Sequence, residues 1–148
     1  MTTYSDLVEY FEGFENVIPD LQMVRVGDDE AIIEFQNSQI KYPGLWVETP
    51  LVRFTDPGGV PAKRFRFALV TLWNEPKKTT QEANQKLSLA LELMEVVYAK
   101  ILNDAEISDE FVLVLEDSDV DPVRRWSADN CFGWRTEVLI EIERCECP

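Results

Sequence analysis

The stretch Asp117-Ser118-Asp119-Val120-Asp121 has the spacing most suited to chemistry, because alternating aspartates present oxygen ligands to a hard cation. A helix–loop–helix calcium site also needs glycine at its sixth position and glutamate at its twelfth. Pro122 and Ala128 stand there instead, so the run reads as a solvated acidic turn. Magnesium chemistry would need a second carboxylate cluster, which no spacing supplies. Histidine is absent, and with it go the commonest general base near neutral pH and any Ser-His or Cys-His nucleophile pair. Cys131, Cys145 and Cys147 are odd in number and make a poor tetrahedral zinc site without histidine, so they suggest neither a metal centre nor a disulfide framework but a cytosolic chain. The glycines at 13, 27, 44, 58, 59 and 133 form no phosphate-cradling loop, and no G-x-S-x-G elbow occurs. A carboxylate pair acting on a glycoside is conceivable in any acidic protein, but nothing selects the pair. The sequence therefore predicts no catalytic residue, no metal and no cofactor.

Charge narrows the partners. The 148 residues carry 14 Lys and Arg against 28 Asp and Glu, a net charge of −14. Such a surface repels phosphate backbones and anionic lipid, so specific DNA binding and membrane docking are not expected. Lys63, Arg64 and Arg66 cluster at one strand start, and Arg124 and Arg125 adjoin Trp126. Against this background they are expected to pair with carboxylates of this chain or of another copy. No apolar run approaches the ~20 residues that span a bilayer, and no basic segment leads into an apolar one at the N-terminus, so no signal peptide is expected. A hydrophobic content of 45% suits one globular domain over 1–148.

The elements follow from periodicity. Leu7, Tyr10, Phe11, Phe14, Val17 and Ile18 recur at helical spacing, capped by Thr3 or Ser5 and stopped by Pro19. A short strand at 23–26 turns at Gly27-Asp28-Asp29, with 31–35 as its hairpin partner. Residues 37–62 are broken by Pro43, Pro50, Pro57 and Pro61 and read as a protruding hairpin or arm. Its apolar residues Leu45, Trp46, Val47, Leu51 and Phe54 need cover, either from their own sheet or from a partner. Arg64 to Trp73 starts half exposed, with Arg64 and Arg66 on one face, and ends buried on both faces through Ala68, Val70 and Leu72, as a central strand does. Thr79 and Glu82 fit a capping box, and the helix from Thr80 to Asn103 carries two apolar stripes. One stripe, with Ala83, Leu87, Ala90, Leu91, Met94, Val97, Tyr98 and Ile101, suits a sheet; the second, Leu89, Leu93 and Val96, must meet another surface. Phe111 to Leu115 is a continuous apolar run and reads as a buried strand, 116–130 as a polar loop, and Trp134 to Ile142 as a last strand with one wet face. The fold class is α+β, a mainly antiparallel sheet packed against a long helix plus an N-terminal helix.

That layout, carried by the strand Arg64–Trp73, the helix Thr80–Asn103 and the closing strand from Trp134, resembles the tail-terminator and neck-ring proteins of tailed bacteriophages. The resemblance spans nearly the whole chain without a short diagnostic motif. It implies a non-enzymatic virion subunit, assembled in the host cytoplasm, that forms a homo-oligomeric ring, commonly a hexamer. Such a ring caps the tail tube and joins it to the head connector while DNA passes through the bore without specific binding. Leu45, Trp46, Val47, Leu51, Phe54, Leu89, Leu93 and Val96 would then be interface candidates, and Asp117, Asp119 and Asp121 would line an acidic lumen that lets DNA slide. The alternative reading is an acidic nucleic-acid mimic that inhibits a DNA-binding protein, its row of carboxylates at 104–121 interrupted by Phe111–Leu115. A small carboxylate-based enzyme comes third.

Overall fold

The computed structural model describes residues 1, 3–28, 41–74, 79–126 and 131–143. Helix α1 spans Tyr4–Glu12 and α2 Phe14–Val17. Strand β1 spans Met23–Val26, β2 Gly44–Val47 and β3 Leu51–Thr55, and a 3-10 turn at Pro57–Gly59 leads into β4, Ala62–Asn74. Helix α3 spans Thr80–Ile107, followed by β5 Val112–Val114, β6 Asp121–Trp126 and β7 Cys131–Glu143. The seven strands form one sheet, all pairs antiparallel except β1 with β2.

The sheet is organised by β4 and β7, which pair along their whole lengths from Ala62↔Glu143 to Asn74↔Cys131. Along the outer side of β4 run β2, opposite residues 69–72, and then β3, opposite 62–66. Along the outer side of β7 run β6, opposite 131–135, and β5, opposite 139–141. One end of the sheet is thus β1-β2-β4-β7-β6 and the other is β3-β4-β7-β5.

The period-two pattern of β4 decides which face is covered. Phe65, Phe67, Leu69 and Thr71 face α3 together with Thr136, Val138, Ile140 and Ile142 of β7, and all are buried. The helix meets them with Ala90, Leu93, Met94, Val97 and Ile101. Two polar groups inside this contact are satisfied by helix carbonyls: the Thr71 hydroxyl donates to Ala90 O (3.0 Å), and the Trp134 indole N–H donates to Leu87 O (2.8 Å). Phe11 of α1 stands edge-on to Phe67, with ring centres 4.9 Å apart, and closes the core beside Leu7 and Phe14.

Local signals explain most boundaries. Thr3 caps α1 through Asp6 N–H while the Asp6 carboxylate accepts from Thr3 N–H, a reciprocal capping box. Thr79 caps α3 by accepting from Glu82 N–H.

Several expectations are corrected. Leu45, Trp46 and Val47 belong to no arm, because β2 is buried on both faces and pairs with both β1 and β4. Among the described residues of this stretch, 41–62, the continuous exposed run is β3 and the turn after it. Pro50 lies in a one-residue register break between β2 and β3 and so interrupts no ladder. Ala90, Met94, Val97 and Ile101 of the sheet-facing stripe are buried as read, but Leu91 is only half-buried and Leu93, assigned to the second stripe, faces the core, and the helix runs on to Ile107. Within 111–115 only Phe111 and Leu113 are buried, while Val112 and Leu115 are exposed. Residues 121–126 form a strand where a loop was expected. The hairpin partner expected at 31–35 lies outside the described residues.

Candidate functional site

Three surfaces are built by this frame. The first is the face of the sheet turned away from α3. Pairing partners share a face, so Arg64 stands opposite Glu141 there and Arg53 opposite Arg64. Arg64 Nε bonds Glu141 Oε2 (2.5 Å), and Arg66 bonds Glu116 (2.6 Å) and Glu137 (3.4 Å). The hydrogen bond to Glu116 raises the Arg66 pKa; burial opposes it, and the nearby charges of Glu116 and Glu137 add to it. Arg135 bonds Glu48 (3.1 Å). The expected pairing of basic residues with the chain's own carboxylates therefore holds for Arg64 and Arg66. These pairs are part-exposed, and each contributes about 0–1 kcal/mol to stability. Their larger effect is to fix a polar face. Beside it a groove of about 550 Å³ is lined by Leu51, Val52, Arg53, Arg64 and Arg66 among others.

The second surface is the edge strand β3. Leu51 is 76% exposed, Phe54 69% and Val52 50%, with Val60 beyond the turn at 49%. The turn after β3 depends on Gly58 and Gly59, whose φ angles of 62° and 82° favour glycine. Nothing else pairs with the outer side of β3 among the described residues.

The third surface is the outer side of α3. Leu89 and Val96 are each 47% exposed and border a groove of about 400 Å³ shared with Pro19, Pro43 and Trp73. Of the interface candidates read from sequence, the structure leaves Leu51, Phe54, Leu89 and Val96 on the surface. It buries Leu45, Trp46, Val47 and Leu93 in the chain's own core, so those four are withdrawn. Trp46 lies with Val70 and Leu72 against Tyr42 and Val123, and its indole N–H donates to Gly27 O (2.8 Å).

The acidic residues Asp117, Asp119 and Asp121 are all exposed. Their segment is tied down by its backbone and by Ser118. The Thr136 hydroxyl donates to Asp119 O (3.0 Å), and Glu137 N–H donates to Ser118 Oγ (3.3 Å). No group of three or more Cys, Asp or Glu is placed to hold a metal among the described residues. No helix among them is long and apolar enough to cross a membrane.

One buried polar cluster remains. Tyr10 Oη donates to Asp104 Oδ2 (2.8 Å), and Lys100 Nζ donates to the same oxygen (2.8 Å), joining α1 to α3. Burial, reinforced by that hydrogen bond and by the Asp104 charge, pushes the Tyr10 pKa far above its usual value.

Sequence reasoning missed Val52, Arg53, Val112 and Leu115 as surface residues. The available signal was that Leu51-Val52-Arg53-Phe54 lacks the one-sided alternation of a half-buried strand. No protein-family model matches this chain, and no curated protein matches it.

Proposed function

We propose that this chain is a non-enzymatic structural subunit of a tailed-phage particle. It forms the tail-terminator or neck ring that caps the tail tube and joins it to the head connector, with DNA passing through the bore. The reading is carried by one observation: Leu51, Val52 and Phe54 leave an apolar edge strand open to solvent. Surfaces of that kind mark sites of protein association. The third surface, at Leu89 and Val96, suits contact with a further virion protein. A net charge of −14, with Asp117, Asp119 and Asp121 exposed, suits a lumen through which DNA slides.

The test is light scattering on the eluting protein, followed by negative-stain imaging. A ring subunit gives a mass several times the 17.1 kDa monomer and particles with a central hole. A chain that stays monomeric and instead blocks a DNA-binding enzyme overturns this reading in favour of the nucleic-acid mimic.

A further inference from the structure

Two free edges lie at the same level of one sheet. The registers align Val52, Phe65, Ile140 and Leu113 in a single row across β3, β4, β7 and β5. The next row is Arg53, Arg64, Glu141 and Val112. Among the described residues, β3 has no strand beyond it on one side and β5 has none on the other. Each edge carries exposed apolar side chains: Leu51, Val52 and Phe54 on β3, and Val112 and Leu115 on or beside β5.

We propose that copies of this chain join edge to edge, β3 of one copy pairing antiparallel with β5 of the next, so that one sheet continues from subunit to subunit. The inference rests on the ring reading above and names its subunit junction.

Chain direction supports this pairing. Every neighbour in the β3-β4-β7-β5 section is antiparallel, so β3 and β5 themselves run in opposite directions. A second copy displaced sideways presents its β5 antiparallel to β3 without being turned over. Such a head-to-tail contact is heterologous, and it closes into a ring when each copy is also rotated by a whole fraction of a turn.

Charge selects between the possible pairings. The β3 edge carries Arg53, which forms no ion pair among the described residues, whereas Arg64 and Arg66 on the next strand are already paired with Glu141, Glu116 and Glu137. The β5 edge is flanked by Asp109, Glu110 and Asp117, all exposed, while Glu116 is held by Arg66 of the same chain. A two-fold contact of β3 with β3 would set Arg53 against Arg53, and β5 with β5 would gather Asp109, Glu110 and Asp117 of both copies, six carboxylates. Only the unlike junction matches positive with negative, and like-charge juxtaposition is how interfaces exclude wrong partners.

A charge-swapped pair of variants tests this. The first, Leu51→Glu with Arg53→Glu, makes the β3 edge acidic. The second, Val112→Lys with Asp117→Lys, makes the β5 edge basic. All four side chains are exposed in the native chain. Each variant alone meets its own kind across a like-charged junction and is expected to elute as a monomer. Mixed in equal amounts, they alternate around the ring, and the assembled mass of the native chain returns. Single variants Arg53→Glu and Asp117→Lys carry the same test should either doublet fail to fold. Variants that assemble on their own like the native chain, or a mixture that stays monomeric while the native chain forms rings, overturn the junction and leave the ring reading standing. A native chain that stays monomeric at its highest soluble concentration overturns both.

Discussion

Trp46→Ala separates a core residue from an assembly anchor. The indole is 2% exposed, packs with Val70 and Leu72, and donates its N–H to the Gly27 carbonyl at 2.8 Å. Truncating a buried aromatic of this size costs about 3–5 kcal/mol. Leaving the Gly27 carbonyl without its donor adds about 1 kcal/mol. Together these remove roughly a third or more of the ~5–15 kcal/mol that holds a domain of this size folded. At roughly 2–4 °C per kcal/mol, the melting temperature should fall by about 10–20 °C. The assay is thermal and urea unfolding of dilute, dissociated protein, followed by far-ultraviolet circular dichroism. Trp46→Phe refills most of the volume but drops the N–H, so it should lose only about 1–2 kcal/mol. A Trp46→Ala chain that melts within about 2 °C of the native one, yet fails to assemble, would refute the assignment of Trp46 to the core and return it to an interface.

Other perturbations have equally definite outcomes. A Cβ added at Gly133 would stand 1.7 Å from the Thr71 carbonyl oxygen and 2.8 Å from its carbon, both backbone atoms of β4. Gly133→Ala must therefore push apart the two strands that organise the sheet and should cost about 3 kcal/mol or more, read as a lower urea midpoint; a change under 1 kcal/mol would mean that β4 and β7 are spaced differently. Met94→Ala should cost about 2–5 kcal/mol and Leu91→Ala less than half as much, because Met94 is buried against the sheet and Leu91 is not. Reversal of that order in denaturant titrations would restore the sequence-based stripe. Tyr10 is held neutral by burial and by Asp104, so the folded chain keeps its phenol proton where an unfolded chain loses it, above pH ~10. The stability this contributes is intact below that pH and declines as pH rises beyond it. Ultraviolet titration should show fewer tyrosinates before alkaline unfolding than expected for free tyrosines, and Tyr10→Phe should reduce that deficit, leaving the part due to Tyr4, whose pKa burial also raises.

What was legible in the sequence was what periodicity alone determines. Phe65 to Trp73 alternates because β4 has one face on a helix and a second partly covered, and the helix after Thr79 follows from its cap and its 3.6-residue stripes. Three misreadings share a physical cause, which is that local pattern does not report what lies beyond the next strand. Pro50 suggested that its whole segment was peripheral, although proline occupies only the register break between β2 and β3. The apolar run Phe111 to Leu115 suggested burial on both faces, although β5 is an edge strand whose Val112 is 57% exposed. Asp121-Pro122-Val123-Arg124-Arg125-Trp126 suggested a loop, because an edge strand tolerates a proline that a central strand would reject. For the candidate site the same limit applied. Leu51 and Phe54 could be singled out as needing cover, but that β3 and β5 share one row of the sheet follows only from the pairings of β4 with β7.

The way the chain treats its sheet edges argues for a purpose at one end. An open edge strand with apolar side chains invites uncontrolled pairing, and proteins blunt such edges with proline, charge or cover. On the outer side of β7, β6 carries Pro122, which removes a backbone donor from that edge. Further along the same side, β5 contains no proline, and neither does β3 across the sheet. Both are instead marked by charge, Arg53 on one and Asp109, Glu110 and Asp117 flanking the other. Proline would forbid every strand from pairing, whereas charge forbids only strands of like sign. An edge protected solely by charge is open to one kind of partner, and the complementary edge belongs to the same chain. The retained apolar side chains Leu51, Phe54, Val112 and Leu115 would then be covered in the assembly, which removes the penalty of exposing them.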